Sequence, residues 1–162
     1  LRAVDGELSY LIIGQPLSGK TTLLRDICRS YSGRDSKRKL KTAVVDERDE
    51  IASSSFGKGA DLGIHTDILS LYPKDIGTQI ALRTLSPDVI IVDEIGTKEE
   101  AEALLSCFNS GVGVVATAHG SSFVEVMRRP NISMLVESGV FRKAVVLEGK
   151  ESPCRIREVI TL

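Results

Sequence analysis

Apolar and polar positions along the chain form two kinds of segment that alternate. The first kind is a short run rich in Val, Ile and Leu, which is typical of a strand buried in a parallel sheet. These runs predict strands at residues 8–13, 43–45, 89–92 and 112–118, followed by two more near residues 143–148 and 155–161.

The second kind of segment is longer and carries apolar residues at helical spacing. The helix after the first strand would bury Leu23, Leu24, Ile27 and Tyr31 on one face. Further helices are predicted at residues 74–86, 98–110, 122–127 and 131–137. Residues 52–73 show no clear period, so we expect a long irregular loop there. The alternation predicts an α/β fold in which a mostly parallel sheet lies between two layers of helices.

A phosphate loop joins the first strand to the first helix. Residues 14–22 match G-x-x-x-x-G-K-[ST], in which backbone N–H groups and the positive end of the helix attract phosphate oxygens. Lys20 would bridge the terminal phosphates of a nucleoside triphosphate, and the Thr21 hydroxyl would bind Mg²⁺. The predicted nucleotide-binding residues are Gly14, Gln15, Pro16, Leu17, Ser18, Gly19, Lys20, Thr21 and Thr22.

Two acidic residues follow the apolar run at residues 89–92. A buried strand that ends in Asp93 and Glu94 has the pattern of a Walker B motif. Asp93 would hold Mg²⁺, usually through water, and Glu94 is placed to polarise an attacking water. A solvated acidic turn is the alternative, but the phosphate loop in the same chain favours the Walker B interpretation.

Composition points to one compact domain. The 162 residues include 21 basic and 22 acidic side chains, so no global field draws the protein toward nucleic acid or anionic lipid. Cys28, Cys107 and Cys154 lack metal-ligand spacing and are expected to be reduced thiols of a cytoplasmic protein. No stretch approaches the length that spans a membrane. We expect residues 1–162 to be a single domain, excised as the C-terminal part of a longer protein.

Several boxes along the chain resemble those of a known family. Residues 81–83, 86–88 and 117–120, with the Walker B acids, are similar to boxes of the RecA-like ATPases of type II and type IV secretion. A narrower resemblance, to the ATPase domain of the stage III sporulation protein AA family, runs from residue 10 to at least residue 147. Its boxes lie at residues 45–48, 50–52, 66–69, 73–74 and 92–96.

This resemblance implies a RecA-like fold and a Mg²⁺-dependent ATPase that takes ATP. It also implies a homo-oligomer, a hexamer in the family, that powers a secretion-like channel complex between mother cell and forespore. Such a protein would be cytoplasmic, or peripheral to a membrane through the membrane channel proteins of the sporulation complex. Two positions depart from the family pattern: Leu17, where many relatives have Gly, and Thr97, where Arg is expected.

The resemblance also implies roles for residues outside the two motifs. In the RecA-like arrangement the strand at residues 112–118 lies between the two motif strands, so His119 would sit where a γ-phosphate sensor belongs. A strand-end His bonded to a carbonyl is the alternative. The acidic box, residues 46–50, could place Glu47 near Mg²⁺ or the attacking water, or could be a solvated turn.

Arginines and other basic residues leave several choices open. Arg83 is either a partner in a surface salt bridge or an arginine finger supplied in trans, and Arg48, Arg128 and Arg129 are further candidates. The basic link at residues 34–41 contains no aromatic residue, which favours a solvated loop over direct nucleic-acid contact.

Two other phosphate-loop classes carry signature sequences of their own. An Asn-Lys-x-Asp box of GTPases and a Leu-Ser-Gly-Gly signature of transporter cassettes are both absent from the sequence. A small-molecule kinase remains an alternative, since Arg128 and Arg129 could clamp a phosphate in a lid. A second alternative is a binding module in which nucleotide acts only as an assembly switch, with little hydrolysis.

Overall fold

The computed structural model describes residues 8–34, 39–53 and 59–162. These residues form a sheet of seven strands in the order β3-β2-β4-β5-β1-β6-β7, in which the first six are parallel and β7 is antiparallel to β6. The strands are β1 Tyr10–Gly14, β2 Thr42–Asp46, β3 Thr66–Ser70, β4 Val89–Glu94, β5 Gly113–His119, β6 Lys143–Leu147 and β7 Ile156–Thr161.

Helices cover both faces of the sheet, as the alternating pattern predicts. They are α1 Lys20–Ser32, α2 Lys74–Ile80, α3 Lys98–Asn109, α4 Phe123–Val126 and α5 Pro130–Glu137. One buried cluster joins α1 to one face of the sheet, and a second joins α3 and α5 to the opposite face. β1 and β2 are buried along their whole length, which explains the apolar runs at residues 10–13 and 43–45.

The structure corrects two expectations about the segments around α2. Residues 52–73 were expected to be irregular, but residues 66–70 form β3, an edge strand paired in parallel with β2. Only Leu69 of this strand is buried, so it lacks the apolar run of the inner strands. The helix predicted at residues 74–86 keeps α geometry only to Ile80 and continues as a π-helical segment over Ala81–Leu85.

Strand order places the two sequence motifs beside each other. β5 lies between β4, which carries the Walker B acids, and β1, which leads into the phosphate loop. This order confirms the one implied by the family resemblance. Parallel neighbours end at the same edge of the sheet, so the carboxyl ends of β1, β4 and β5 meet where open α/β sheets bind ligands.

Candidate functional site

Gly14 and Gly19 shape the phosphate loop for two different reasons. Gly14 ends β1, and a Cβ at this position would lie only 2.2 Å from the hydroxyl oxygen of Ser18. Gly19 precedes α1 with a φ of 92°, in the left-handed region that side chains disfavour. A Cβ at Gly19 would also lie 2.4 Å from the Sγ of Cys154. The loop therefore requires glycine at both ends.

Lys20 is the first residue of α1, and its ammonium group folds back over the loop. Its Nζ donates to the main-chain oxygens of Gly14 at 2.7 Å and Gln15 at 3.0 Å. Burial lowers the pKa of Lys20, whereas the nearby carboxylate of Glu94 favours the charged form and acts in the opposite direction. The lysine is thus a partly buried cation that shares one cleft with Glu94.

The other predicted nucleotide-binding residues differ in exposure. Ser18 is buried, and its hydroxyl oxygen has no hydrogen-bond partner among the described residues. Thr21 is partly buried in the first turn of α1. The exposed members are Gln15, Pro16, Leu17 and Thr22.

A cleft of about 740 Å³ opens beside the phosphate loop. Its volume falls in the range of about 300–1,000 Å³ that is common for small-ligand sites. Its lining comes from the phosphate loop and α1, the turn after β2, the start of α2, the end of β4, the start of α3, the end of β5, and the turn between β6 and β7. The predicted site residues among its described lining are Pro16, Leu17, Gly19, Lys20, Thr21, Thr22, Glu47, Asp93 and Glu94. Those outside that lining are Gly14, Gln15, Ser18, Arg83 and His119.

A β-bulge sits where β4 reaches the cleft. Ile91 is paired with Val115 and Glu94 with Thr117, so β4 has one more residue than β5 over this interval. A bulge increases the local twist and redirects side chains, and here it falls directly at the two acids. Asp93 is partly buried, and Glu94 is exposed at the cleft.

The carboxylate of Asp93 has an unusual charge environment. Burial raises its pKa, and the ammonium of Lys74 opposes this effect. The carboxylates of Asp46 and Glu50 add to the upward shift. Asp93 Oδ1 is buried and has no hydrogen bond within the described residues, although it lies 3.2 Å from Lys74 Nζ.

Lys74, the first residue of α2, places a positive charge beside the carboxylates of Asp93 and Glu100. Its Nζ lies 3.2 Å from Asp93 Oδ1 and 3.6 Å from Glu100 Oε1, and it donates to the main-chain oxygen of Glu94. The sequence contained Lys74 in a family box, but nothing in its spacing predicted contact with the Walker B acids.

The acidic box after β2 divides into a buried anchor and a cleft-facing turn. Asp46 is fully buried, and its carboxylate accepts hydrogen bonds from the N–H groups of residues 50, 51 and 52. Arg25 of α1 holds the same turn through the main-chain oxygens of residues 50 and 51. Glu47, Arg48 and Glu50 line the cleft. The Asp46 carboxylate therefore supports the turn, whereas Glu47 faces the cleft and its role there stays a prediction.

The end of β5 reaches the cleft through Thr117, which is buried and lines it. His119, two residues further, is paired in register with Gly14 of the phosphate loop. It also contributes to lowering the pKa of Glu125, for which the main cause is hydrogen bonding from Ser121. His119 thus lies beside the loop and toward α4, and its sensor role remains a prediction.

The four candidate arginines lie in different places. Arg48 is exposed and lines the cleft. Arg83 is exposed in the π-helical segment after α2. Arg128 and Arg129 lie in the connection between α4 and α5. Their assignment as fingers stays a prediction.

Thr97 explains one departure from the family pattern. It is the N-cap of α3, where its side chain accepts a hydrogen bond from the N–H of Glu100 and the Glu100 carboxylate accepts one from the N–H of Thr97. This reciprocal capping box satisfies N–H groups that the first turn of a helix otherwise leaves free. The position therefore serves the helix that follows the Walker B motif.

The turn between β6 and β7 covers part of the phosphate loop, which the sequence did not indicate. Pro153 lines the cleft, and the N–H of Cys154 donates to the main-chain oxygen of Ser18 at 2.8 Å. Gly19 is in close contact with the same cysteine. Residues more than 130 positions apart in sequence therefore form one wall of the cleft.

The donor set fits a magnesium ion that arrives with a nucleotide. Thr21 and Asp93 both line the cleft, and Asp93 Oδ1 is a buried oxygen without a hydrogen bond from the described chain. No cluster of three or more His, Cys, Asp or Glu side chains able to hold a metal occurs within residues 8–34, 39–53 and 59–162. That finding is compatible with Mg²⁺, which keeps several waters and takes its remaining ligands from one or two side chains and the substrate phosphates.

Two solved structures resemble this chain in fold. The VirB11 ATPase of the Brucella suis type IV secretion system gives a TM-score of 0.70 at 15% identity, covering 96% of this chain and 48% of that one. The Legionella pneumophila ATPase DotB gives a TM-score of 0.66 at 23% identity, covering 88% of this chain and 41% of that one. The likeness confirms the predicted RecA-like, three-layer α/β fold.

None of the described helices has the length and hydrophobicity needed to cross a membrane.

Sequence comparison is more specific than structural likeness. The chain is 40% identical over 154 residues to stage III sporulation protein AA of Bacillus subtilis (strain 168), a match covering 94% of this chain. The match covers 50% of the relative, so the chain spans about half of that protein's length. A family model described as "Sporulation stage III, protein AA" matches residues 2–161. The chain belongs to the sporulation stage III protein AA family.

Proposed function

We propose that this chain binds Mg-ATP and hydrolyses it. The observation that carries the proposal is the meeting of Lys20, Thr21, Asp93 and Glu94 around one cleft of ligand size. These are the residue types that phosphate-loop ATPases use for phosphate charge, for the metal and for the attacking water. They follow the carboxyl ends of β1 and β4, which lie far apart in the sequence, and the strand order β4-β5-β1 brings them together.

Each residue has a distinct task in this proposal. The N–H groups of the phosphate loop and the Lys20 ammonium bind phosphate oxygens, a role that requires Lys20 to leave its contacts with Gly14 and Gln15. Thr21 and Asp93 would hold Mg²⁺, which supplies charge stabilisation at the transferred phosphate. Glu94 is exposed to the cleft, so its carboxylate is free to accept a proton from water.

The biological role that we propose rests on the family and the fold neighbours. The chain would form a homo-oligomer, a hexamer, and power a secretion-like channel complex during sporulation. It would be cytoplasmic and attached to a membrane through partner proteins. The family description names sporulation, and the structural neighbours include an ATPase of a type IV secretion system.

Two substitutions test the chemistry. Lys20→Ala should abolish Mg-ATP binding in calorimetry, because it removes the cation of the phosphate loop. Glu94→Gln should retain Mg-ATP binding and lose about 10² to 10⁴ in turnover, the range for loss of a positioned base. Lys98→Ala and Glu102→Gln, which alter an exposed ion pair on α3, are the matched controls. Unchanged ATP affinity in Lys20→Ala would refute the assignment of the site.

The assay also separates this proposal from its rivals. A phosphate acceptor that accelerates nucleotide consumption in dilute monomer would favour a small-molecule kinase. Normal ATP affinity without turnover, even in a concentrated oligomer, would favour an assembly switch. Near-normal hydrolysis in Glu94→Gln would move the base to Glu47 or Glu50, which line the same cleft.

Oligomerisation is tested by measuring turnover per subunit across protein concentration. A finger supplied in trans by Arg48, Arg83, Arg128 or Arg129 contributes about 10³ to 10⁵ in rate only when subunits meet. Turnover per subunit should therefore rise with concentration. Lys20→Ala subunits, each with one arginine replaced, can then be mixed with competent subunits to identify the donor. A flat profile from dilute monomer to concentrated protein would exclude a finger in trans.

A further inference from the structure

Lys74 is a cation built into the acidic side of the cleft. Its ammonium contacts three oxygens: Asp93 Oδ1 at 3.2 Å, Glu100 Oε1 at 3.6 Å and the main-chain oxygen of Glu94. The side chains of Lys74, Asp93 and Glu100 are only 11%, 15% and 14% exposed. At this burial solvent screens the charges weakly, so the contact is stronger than a surface ion pair.

Several carboxylates lie around Asp93, and the Lys74 ammonium offsets part of their negative charge. Glu50, Glu94 and Glu100 line the same cleft as Asp93, so negative charge is concentrated there. The other lysine in the cleft, Lys20, is occupied with carbonyl oxygens of the phosphate loop. Within the described residues, Lys74 is the cation that forms an ion pair with Asp93.

We propose that Lys74 is a resident counter-ion of Asp93 that competes with Mg²⁺ and thereby sets the magnesium concentration at which nucleotide is held. This inference rests on the proposed function, because it assigns Asp93 to the metal. The same carboxylate oxygen cannot neutralise the ammonium and receive a hydrated Mg²⁺ equally well at the same time. Two cations that share one anion weaken each other's binding reciprocally.

The direction of the effect follows from this competition. Lys74→Met keeps the length of an unbranched side chain and removes the competing charge. The metal then meets an uncompensated carboxylate, and the half-saturating Mg²⁺ concentration should fall about tenfold, within the usual range of coupling between sites. Lys74→Arg keeps the charge and should stay close to the wild type. A residue that merely packs against its neighbours would not produce this dependence on side-chain charge.

The first experiment titrates Mg²⁺ against a fixed concentration of a fluorescent, non-hydrolysable ATP analogue, so that turnover plays no part. Wild type, Lys74→Met, Lys74→Arg and the control Lys98→Met are compared, since Lys98 forms an exposed ion pair outside the cleft. We expect the lower magnesium requirement in Lys74→Met alone, with similar analogue affinity at saturating Mg²⁺. An unchanged or higher requirement in Lys74→Met would overturn the proposal while leaving the proposed function intact.

The second experiment needs no nucleotide. Urea unfolding of Lys74→Met, Asp93→Asn and the double variant gives a double-mutant cycle for the pair. Lys74→Met should destabilise the protein clearly less in the Asp93→Asn background than in the wild type, because the unpaired carboxylate is then gone. Lys74→Gln repeats the cycle if the methionine variant does not fold. Additive effects would overturn the counter-ion role.

In the first experiment, a wild type that binds no analogue at any Mg²⁺ concentration would refute the proposed function, and the competition with it.

Discussion

Asp46→Asn should destabilise the fold and loosen one wall of the cleft. The Asp46 side chain is fully buried, and its two carboxylate oxygens accept three backbone N–H groups: that of residue 50 at 2.9 Å, 51 at 2.9 Å and 52 at 2.8 Å. One oxygen, Oδ2, serves residues 51 and 52. The substitution is nearly isosteric, so its effect reports on charge and hydrogen bonding and not on a cavity.

The magnitude follows from counting these bonds. The amide keeps one oxygen, which can serve residues 51 and 52 as a neutral acceptor, while its NH₂ group meets the N–H of residue 50. A hydrogen bond to a charged group contributes about 1.5–3 kcal/mol, and an unsatisfied buried donor costs a similar amount. Removal of the Asp46 charge also relieves its repulsion of Asp93. We expect a net loss of about 2–4 kcal/mol.

Urea unfolding measures this loss, with Asp26→Asn as the control because Asp26 forms an exposed ion pair with Arg29 on α1. The control should change the free energy of unfolding by less than about 0.5 kcal/mol. Hydrogen exchange should show faster exchange at residues 50–52 in Asp46→Asn alone. If the two variants are equally stable and residues 50–52 remain protected, the Asp46 carboxylate does not anchor the turn.

Three further predictions concern helix capping, the core and the thiols. Thr97→Ala should cost about 0.5–2 kcal/mol in urea unfolding, because the capping box of α3 is lost, and no change would refute that role. Leu104→Ala should cost about 2–5 kcal/mol, since this α3 side chain is 1% exposed; a smaller loss would mean that the core collapses around the site. At pH 8 a thiol reagent should modify Cys154 rapidly and leave Cys28 and Cys107 unmodified until urea unfolds the protein. Burial raises the pKa of Cys107 to about 12 and also raises that of Cys28, so both stay protonated and unreactive.

The parts of the fold predicted from sequence are those whose burial leaves a clear pattern. β1, β4 and β5 lie inside the sheet with helices on both faces, so the parts of these strands that precede the cleft are mostly apolar. β3 was missed because it is an edge strand: Thr66 and Asp67 are half-buried and Ile68 is exposed. A partly exposed edge strand shows neither a continuous apolar run nor a strict alternation of apolar and polar residues.

The residues of the candidate site likewise divide into those that the sequence predicts and those that it does not. Gly14, Lys20, Asp93 and Glu94 were predictable because backbone geometry and metal chemistry fix their spacing within one loop or one strand end. The contacts of Lys74 with the Walker B acids depend on how α2 packs beside β4, and no local spacing records that packing. The contact of Cys154 with the phosphate loop likewise depends on the β6–β7 pairing.

Of the four candidate arginines, Arg48 is the one among the described lining of the cleft. Lys20 and Lys74 also line the cleft, but both are partly buried and contact oxygens of their own chain. Arg48 is exposed, and the turn that carries it is fixed by Asp46 and Arg25, so it presents a guanidinium to the cleft from a rigid support. Arg48 lines the cleft of its own subunit, so its action in cis is a hypothesis to be tested beside that of a donor in trans. If Arg48 acts in its own subunit, Arg48→Ala lowers turnover equally at all concentrations, whereas loss of a donor in trans lowers it only where subunits meet.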